Sequence, residues 1–111
     1  MKCITLWQPW ATLIMLGIKK IETRSWHTQH RGPLAIHSAA KDHPTLAAIC
    51  ATEPFRSQLA AAGFASFKDL PRRCIMGTVH LDDCAGSLSS FLVSVPRGSA
   101  GWDDPNAPKR P

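Results

Sequence analysis

Three charged side chains of this sequence, Lys19, Glu22 and Arg24, lie close enough together to form a chemical site. Charged and uncharged residues alternate from Lys20 to Ser25, which is the period of a β-strand, so Glu22 and Arg24 are expected on one face. In one interpretation these charges face solvent and pair loosely, each pair contributing roughly 0 to 1 kcal/mol. In the other they line a cleft that holds an anion, and Glu22 orients the cations or acts as a base. The spacing leaves both open.

A helix is predicted immediately before these charges. Apolar residues recur at i, i+3, i+4 and i+7 from Trp10 to Gly17, which is the pattern of one helix face. Pro9 suits the first helical position, and Gly17 suits the residue after the helix because it reaches positive φ without a steric penalty. We therefore expect a helix from Pro9 to about Leu16, preceded by a short strand at Lys2–Leu6.

The rest of the chain predicts an α+β fold. We expect strands at Leu34–Ser38, Cys74–Leu81 and Phe91–Val95, a helical region from Pro44 to Gly63 broken at Pro54, and a capped turn at Ser66–Asp69. Alternation within the second of these strands places Ile75, Val79 and Leu81 on one face. Gly77 lies between them and suggests a β-bulge.

The charge of the protein is uneven along the chain. Residues 1–75 carry ten Lys or Arg against four Asp or Glu, whereas residues 76–111 carry three against four. A basic folded part favours an anionic partner, and nucleic acid is the commonest one. Charge that serves only solubility is the alternative.

Other classes of function find little support in the sequence. No run approaches the ~18 to 20 apolar residues of a membrane span, and the N-terminus has no signal peptide, so we expect a cytoplasmic protein without membrane contact. His27 and His30 are close together but have no acidic or thiol residue near them in the sequence, so we expect no metal and no other cofactor. Four cysteines without C-x-x-C spacing, Cys3, Cys50, Cys74 and Cys84, are expected to be buried thiols.

The charged stretch and its flanks resemble the ASCH family, a branch of the PUA-like β-barrels. The family signature is G-x-K-x-x-E-x-R after a helix, and here it is Gly17, Lys19, Glu22 and Arg24. Residues 6–11 resemble the family's entry from strand to helix, and residues 31–37 resemble its next strand. The resemblance covers about residues 1–85.

This resemblance implies a small PUA-like β-barrel with flanking helices, left incomplete at its C-terminal end. Family members continue with further strands, including a Gly-Arg-aromatic segment that is not found here. In residues 86–111, twelve of twenty-six residues are Gly, Ser or Pro, a composition that buries little apolar surface. We therefore predict an ASCH domain at residues 1–85 and a largely irregular segment at 86–111, with one short strand.

The resemblance also implies an RNA- or nucleotide-binding module that uses a basic cleft at the signature. The predicted ligand-binding residues are Lys19, Lys20, Glu22, Arg24, Trp26 and His37. Trp7 and Trp10 are further candidates for stacking on a base, although Trp10 also fits a core position on the apolar helix face. His37 equally fits a core histidine bonded to a backbone carbonyl.

Two alternatives come from other classes. Some small ASCH proteins are hydrolases that act on N4-acetylcytidine, and Lys19 falls on their signature lysine. Their nucleophilic threonine falls at Glu22 here, however, and Thr23 is one residue out of register, which places it on the opposite strand face. Lys19 and Glu22 remain candidates for a general acid and base acting on RNA or a modified nucleoside. The second alternative is a truncated paralogue without activity.

Overall fold

The computed structural model describes residues 1–87 and 89–96, and these form a mixed α+β domain. Its strands are β1 (Lys2–Leu6), β2 (Ile21–Thr23), β3 (Gly32–Ser38), β4 (Cys74–Ala85) and β5 (Ser90–Ser94). Its helices are α1 (Trp10–Met15), α2 (Pro44–Cys50) and α3 (Phe55–Ala61), with a short 3-10 helix at Phe67–Asp69. None of these helices is long and apolar enough to cross a bilayer.

The five strands form one sheet in the order β1-β3-β4-β5-β2. Strand β1 runs parallel to β3, and every other neighbouring pair is antiparallel. The sheet curls into a half-barrel, and α1 packs against β1, β3 and β4. The expectation of an α+β, incomplete PUA-like barrel is thereby confirmed.

Strand β5 lies inside the sheet, between β4 and β2. Its residue Phe91 is fully buried and pairs with Glu22 on β2, while its exposed neighbour Leu92 pairs with Ile21. The predicted strand at Phe91–Val95 is thus confirmed, one residue earlier at each end. Because β2 pairs with no other strand of residues 1–87 and 89–96, it joins the described sheet through β5. The rest of the predicted irregular segment, residues 97–111, lies outside the described residues.

Helix α1 joins two separate hydrophobic cores. The first fills the concave side of the sheet and includes Ile14 and Met15 of α1, together with Ile36, Leu81 and Phe91. The second lies among the helices and is formed by Leu13, Leu46, Cys50, Leu59, Phe64, Phe67 and Leu70. Each large apolar side chain buried in this way stabilises the fold by about 1.5–3 kcal/mol. Helix α1 is therefore fixed from both sides.

The predicted breaks in the helices are confirmed. Gly17 follows α1 with φ +76°, in the left-handed region that favours glycine. The predicted helical region divides into α2 and α3 on either side of residues 51–54. Ser66 and Asp69 form the reciprocal bonds of a capping box. Pro9, expected at the first helical position, instead occupies the N-cap of α1.

A bulge in β4 makes one prediction about the sheet faces wrong. In the β3–β4 register Ile36 pairs with Gly77 and His37 pairs with Ile75, so Met76 has no partner. One extra residue reverses the alternation of side chains. Met76 is therefore buried, and Ile75 is 58% exposed instead of sharing the inner face with Val79.

Candidate functional site

A cleft of about 200 Å³ opens where the ends of β1 and β2 approach each other. It is lined by Thr5, Leu6, Trp7, Trp10, Glu22 and Arg24. These residues come from β1, from the corner that follows it, from the start of α1 and from β2 with the residue after it. Two members of the signature thus line the cleft together with two tryptophans.

The corner between Trp7 and Trp10 is held by Gln8, whose side chain is fully buried. Its Oε1 accepts hydrogen bonds from the amide of Thr12 at 3.0 Å and from its hydroxyl at 2.9 Å. Its Nε2 donates to the carbonyl oxygen of Pro71 at 2.6 Å. These bonds fix the backbone that carries both tryptophans. Sequence reasoning missed this role, because a glutamine beside a proline carries no local signal of burial.

The turn after α1 places Lys19 beside Trp10, a residue of the cleft wall. The carbonyl oxygen of Leu13 accepts hydrogen bonds from the amides of Ile18 and Lys19, at 3.0 and 3.1 Å. The next residue, Lys20, accepts a bond from the amide of Val93 on β5 at 2.9 Å through its carbonyl oxygen. The chain therefore passes from Met15, the last residue of α1, into bonding with the sheet within five residues.

Alternation along β2 selects which side chains face the cleft. Glu22 and Arg24 are half-buried and line it, whereas Ile21 and Thr23 are exposed. Arg24 Nη2 donates a hydrogen bond of 2.5 Å to the carbonyl oxygen of Thr5 on β1. Because β1 and β2 are the two edge strands of the sheet, this bond connects the edges across the open side of the half-barrel.

Two residues that line the cleft each contain a buried polar atom, one an acceptor and one a donor, that no described residue satisfies. These atoms are Oε2 of Glu22 and Nε of Arg24. In the described part of the chain, no Lys, Arg or His nitrogen lies within 4.0 Å of the Glu22 carboxylate. A buried polar group without a partner costs about 1–3 kcal/mol. A ligand that offers both a donor and an acceptor would recover part of that cost.

The two tryptophans each carry a lysine ammonium over the ring. Lys19 Nζ lies 5.7 Å from the ring centroid of Trp10, and Lys41 Nζ lies 5.3 Å from that of Trp7. Trp10 also packs edge-on against Phe55, at 5.5 Å between centroids, and contacts the helical core, as expected for its helix face. Trp7 is 51% exposed, so its ring is the wall's accessible aromatic surface.

Four residues of the predicted site do not line the cleft: Lys19, Lys20, Trp26 and His37. Lys19 lies beside it, with its ammonium over the ring of Trp10. Lys20 is exposed, and Trp26 packs edge-on against Phe91 at 5.1 Å between centroids. His37 is half-buried, and its Nδ1 lies 3.3 Å from the hydroxyl of Thr5. It therefore contacts a cleft residue without entering the cleft, and it is not the carbonyl-bonded core histidine that was the alternative.

Three residues at or beside the cleft were not among the predicted ligand-binding residues. Thr5 sits in an ordinary strand pattern. Lys41 follows the strand at Leu34–Ser38, where its position fits either the rim of a cleft or an ordinary exposed lysine, and the structure places its ammonium over Trp7. Leu6 was expected only as the end of a strand. All three reach the site through the pairing of β1 with β3, which brings the residues after β3 beside the end of β1.

The remaining histidine and cysteine positions do not form a metal centre in the part of the chain that the structure describes. His27 Nδ1 lies 3.4 Å from Cys84 Sγ, a contact across the sheet that sequence distance did not indicate. Cys50 and Cys84 are buried, as expected, and burial raises the pKa of the Cys50 thiol. Cys3 is exposed, contrary to the prediction, because it points outward from the edge strand β1.

The curled mixed sheet, with a cleft between its edge strands, defines a small PUA-like half-barrel. The sequence matches the ASCH domain over residues 4–96, so the chain belongs to the ASCH domain family. The predicted membership of the ASCH family is thereby confirmed, and the match includes β5.

Two relatives share this domain. The chain is 36% identical to human activating signal cointegrator 1 over 103 residues, which are 93% of this chain and 17% of the human protein. It is 37% identical to the mouse protein of the same name over 94 residues, 85% of this chain and 16% of that protein. The chain thus spans about a sixth of the length of either relative.

Proposed function

We propose that the cleft binds a base of RNA or of a nucleotide, with the base inside the cleft and the phosphate at its rim. The ASCH family is linked to RNA binding, which sets the class of ligand. The observation that carries the proposal is the pair of unsatisfied atoms, Glu22 Oε2 and Arg24 Nε, in a wall that also holds two tryptophans.

The carboxylate of Glu22 decides which part of a nucleotide enters. A phosphate placed in the cleft would meet this carboxylate, which has no cation within 4.0 Å among the described residues. Like charges at short range repel, and more strongly away from bulk water. A neutral heterocycle meets no such repulsion. The phosphate therefore belongs outside, beside the lysines.

The edge of a nucleobase matches the wall's hydrogen-bonding groups. Every nucleobase carries both a donor and an acceptor on its Watson–Crick edge, and single-stranded RNA is recognised largely through that edge. Glu22 would accept from a ring or exocyclic N–H, and Arg24 Nε would donate to a ring nitrogen or carbonyl oxygen. This pairing favours nucleobases as a class over apolar rings and over anions.

The size of the cleft suits one base. A cavity of about 150 Å³ holds a benzene molecule, and this cleft measures about 200 Å³. Trp7 offers the exposed ring on which the base can stack, a contact worth about 1–3 kcal/mol. The domain would thus bind one unpaired base at a time. For this chain we propose only that the shared domain binds a base, because its relatives are far longer.

Trp7→Leu tests this proposal, with Trp26→Leu as the matched control. Titration of a short single-stranded RNA against each variant, followed by fluorescence anisotropy, gives the dissociation constants. Loss of stacking should raise the dissociation constant of Trp7→Leu by about 5- to 150-fold. In the unmodified protein the ring of Trp26 packs on Phe91, away from the cleft, so Trp26→Leu should bind the RNA with unchanged affinity. Equal affinities for Trp7→Leu and the unmodified protein would refute base binding in the cleft.

A further inference from the structure

We infer that the cleft takes an internal nucleotide of a single RNA strand, and that Lys19 and Lys41 bind the phosphates on its two sides. This inference rests on the proposed function and names its substrate more closely. It adds Lys41 to the site and separates an RNA strand from a free mononucleotide as the ligand.

Lys41 is held beside the cleft by its neighbours in the chain. After β3, the amide of Ala39 donates a hydrogen bond of 2.9 Å to the carbonyl oxygen of Leu6, a residue of the cleft wall. One residue beyond Lys41, the carboxylate of Asp42 lies 3.6 Å from the guanidinium of Arg72. The loop therefore makes a contact on each side of Lys41, and the ammonium of Lys41 lies over the ring of Trp7.

Lys19 is fastened independently, by the end of α1. Its amide bonds to the carbonyl oxygen of Leu13, and its ammonium lies over Trp10. Within the described residues, neither Lys19 nor Lys41 has a carboxylate within 4.0 Å. Two ammonium groups without a neighbouring carboxylate thus lie over two different tryptophans of the wall. Together they provide two positions at which an anion can bind.

The number of anion positions distinguishes the possible ligands. A mononucleotide carries one phosphate group, whereas a nucleotide inside a strand has a phosphodiester on each side of its sugar. Because Glu22 disfavours an anion inside the cleft, both phosphates must lie at the rim. Two lysines at the rim match the two phosphates of an internal nucleotide. A mononucleotide would occupy one of these lysines and leave the other without a phosphate.

The same wall requires the bound base to be unpaired. Glu22 Oε2 and Arg24 Nε can satisfy a base only through a free donor and acceptor, and pairing occupies those of the Watson–Crick edge. A cleft of about 200 Å³ also has room for one base and not for a base pair. The strand must therefore be single at this position.

The decisive experiment compares three ligands: a 5′-mononucleotide, an RNA trinucleotide, and the same trinucleotide with neutral methylphosphonate linkages. Affinities are measured by calorimetry over a range of salt concentrations for Lys19→Met, Lys41→Met and the control Lys68→Met. Lys68 is exposed on the 3-10 helix and lines no part of the cleft. Urea denaturation of each variant confirms equal folding before binding is compared.

We expect the natural trinucleotide to bind more tightly than the mononucleotide. For this trinucleotide, the slope of log K against log salt should become shallower by about 0.7 in Lys19→Met and by about 0.7 in Lys41→Met. The slope should not change in Lys68→Met. The methylphosphonate trinucleotide should show little salt dependence with any variant.

Two results would overturn the inference, and they differ in what they say of the proposed function. If Lys41→Met leaves the trinucleotide slope unchanged while Trp7→Leu still weakens binding, the cleft binds a base but Lys41 binds no phosphate. If no ligand shows binding that depends on Trp7, base binding in the cleft fails as well.

Discussion

Replacing the buried Gln8 with leucine should destabilise the whole domain. The substitution keeps the bulk of the side chain but removes an acceptor used twice by Thr12 and a donor used by Pro71. The amide and hydroxyl of Thr12 are then left without a partner in a fully buried position. At about 1–3 kcal/mol for each of these two orphaned groups, the expected loss is about 2–6 kcal/mol of the free energy of unfolding.

The lower end of this range applies if the Thr12 hydroxyl rotates to the backbone carbonyl four residues before it, as threonines in helices can do. Even this loss is a large part of the stability of a small domain, which is typically 5–15 kcal/mol. Equilibrium unfolding in urea should show it as a fall in the midpoint. With a slope of about 1–3 kcal/mol per molar, a loss of about 3 kcal/mol moves the midpoint by roughly 1–3 M.

A matched control and a double variant make this prediction specific. Gln29→Leu makes the same chemical change at an exposed position and should stay within about 0.5 kcal/mol of the unmodified protein. Adding Thr12→Val to Gln8→Leu removes one orphaned group and should restore part of the loss. If Gln8→Leu and Gln29→Leu have the same midpoint, the Gln8 network does not hold the corner of the cleft.

Two further predictions concern pH and catalysis. Hydrogen bonds from Ser94 and then His80 lower the pKa of Asp82, so its ionised form stabilises the folded state above the ordinary Asp pKa of about 3.9. Asp82→Asn should therefore lower the free energy of unfolding, measured in urea at pH 6, by at most about 1 kcal/mol; the difference should shrink below the ordinary Asp pKa and vanish as the pH falls through the lowered pKa of the folded state. If the protein is a hydrolase, chromatography should show acetate released from N4-acetylcytidine and lost in both Glu22→Gln and Lys19→Ala; activity that survives both substitutions would contradict their role.

Features with a local physical cause could be predicted from the sequence. The glycine turn after α1 follows from the φ that Gly17 alone adopts easily. The common face of Glu22 and Arg24 follows from the alternation of a strand, which is the same whatever the strand pairs with. The resemblance to the ASCH family added the fold class, and the family match over residues 4–96 bears out that resemblance.

Features set by distant contacts could not be predicted in this way. Nothing near Lys41 indicates Trp7, because the two meet only when β1 and β3 pair in parallel. Trp26 was expected at the cleft because it follows the signature, yet its ring packs on Phe91 from the far end of the chain. Ile75 lies on the face opposite to the predicted one because β4 contains one unpaired residue. The alternation of side chains along a strand does not reveal where such a residue occurs.

The position of β5 also sets when the cleft can exist during synthesis. Strand β2 holds Glu22, and among the described strands it pairs with β5 alone, which the ribosome makes after all the other described elements. At about 5–20 residues per second, β2 waits several seconds for Ser90–Ser94 to emerge. Until then Glu22 and Arg24 have no sheet to hold them, although both were translated early. A nascent chain therefore carries every cleft residue long before the cleft can form, and the cleft is completed in a single late step.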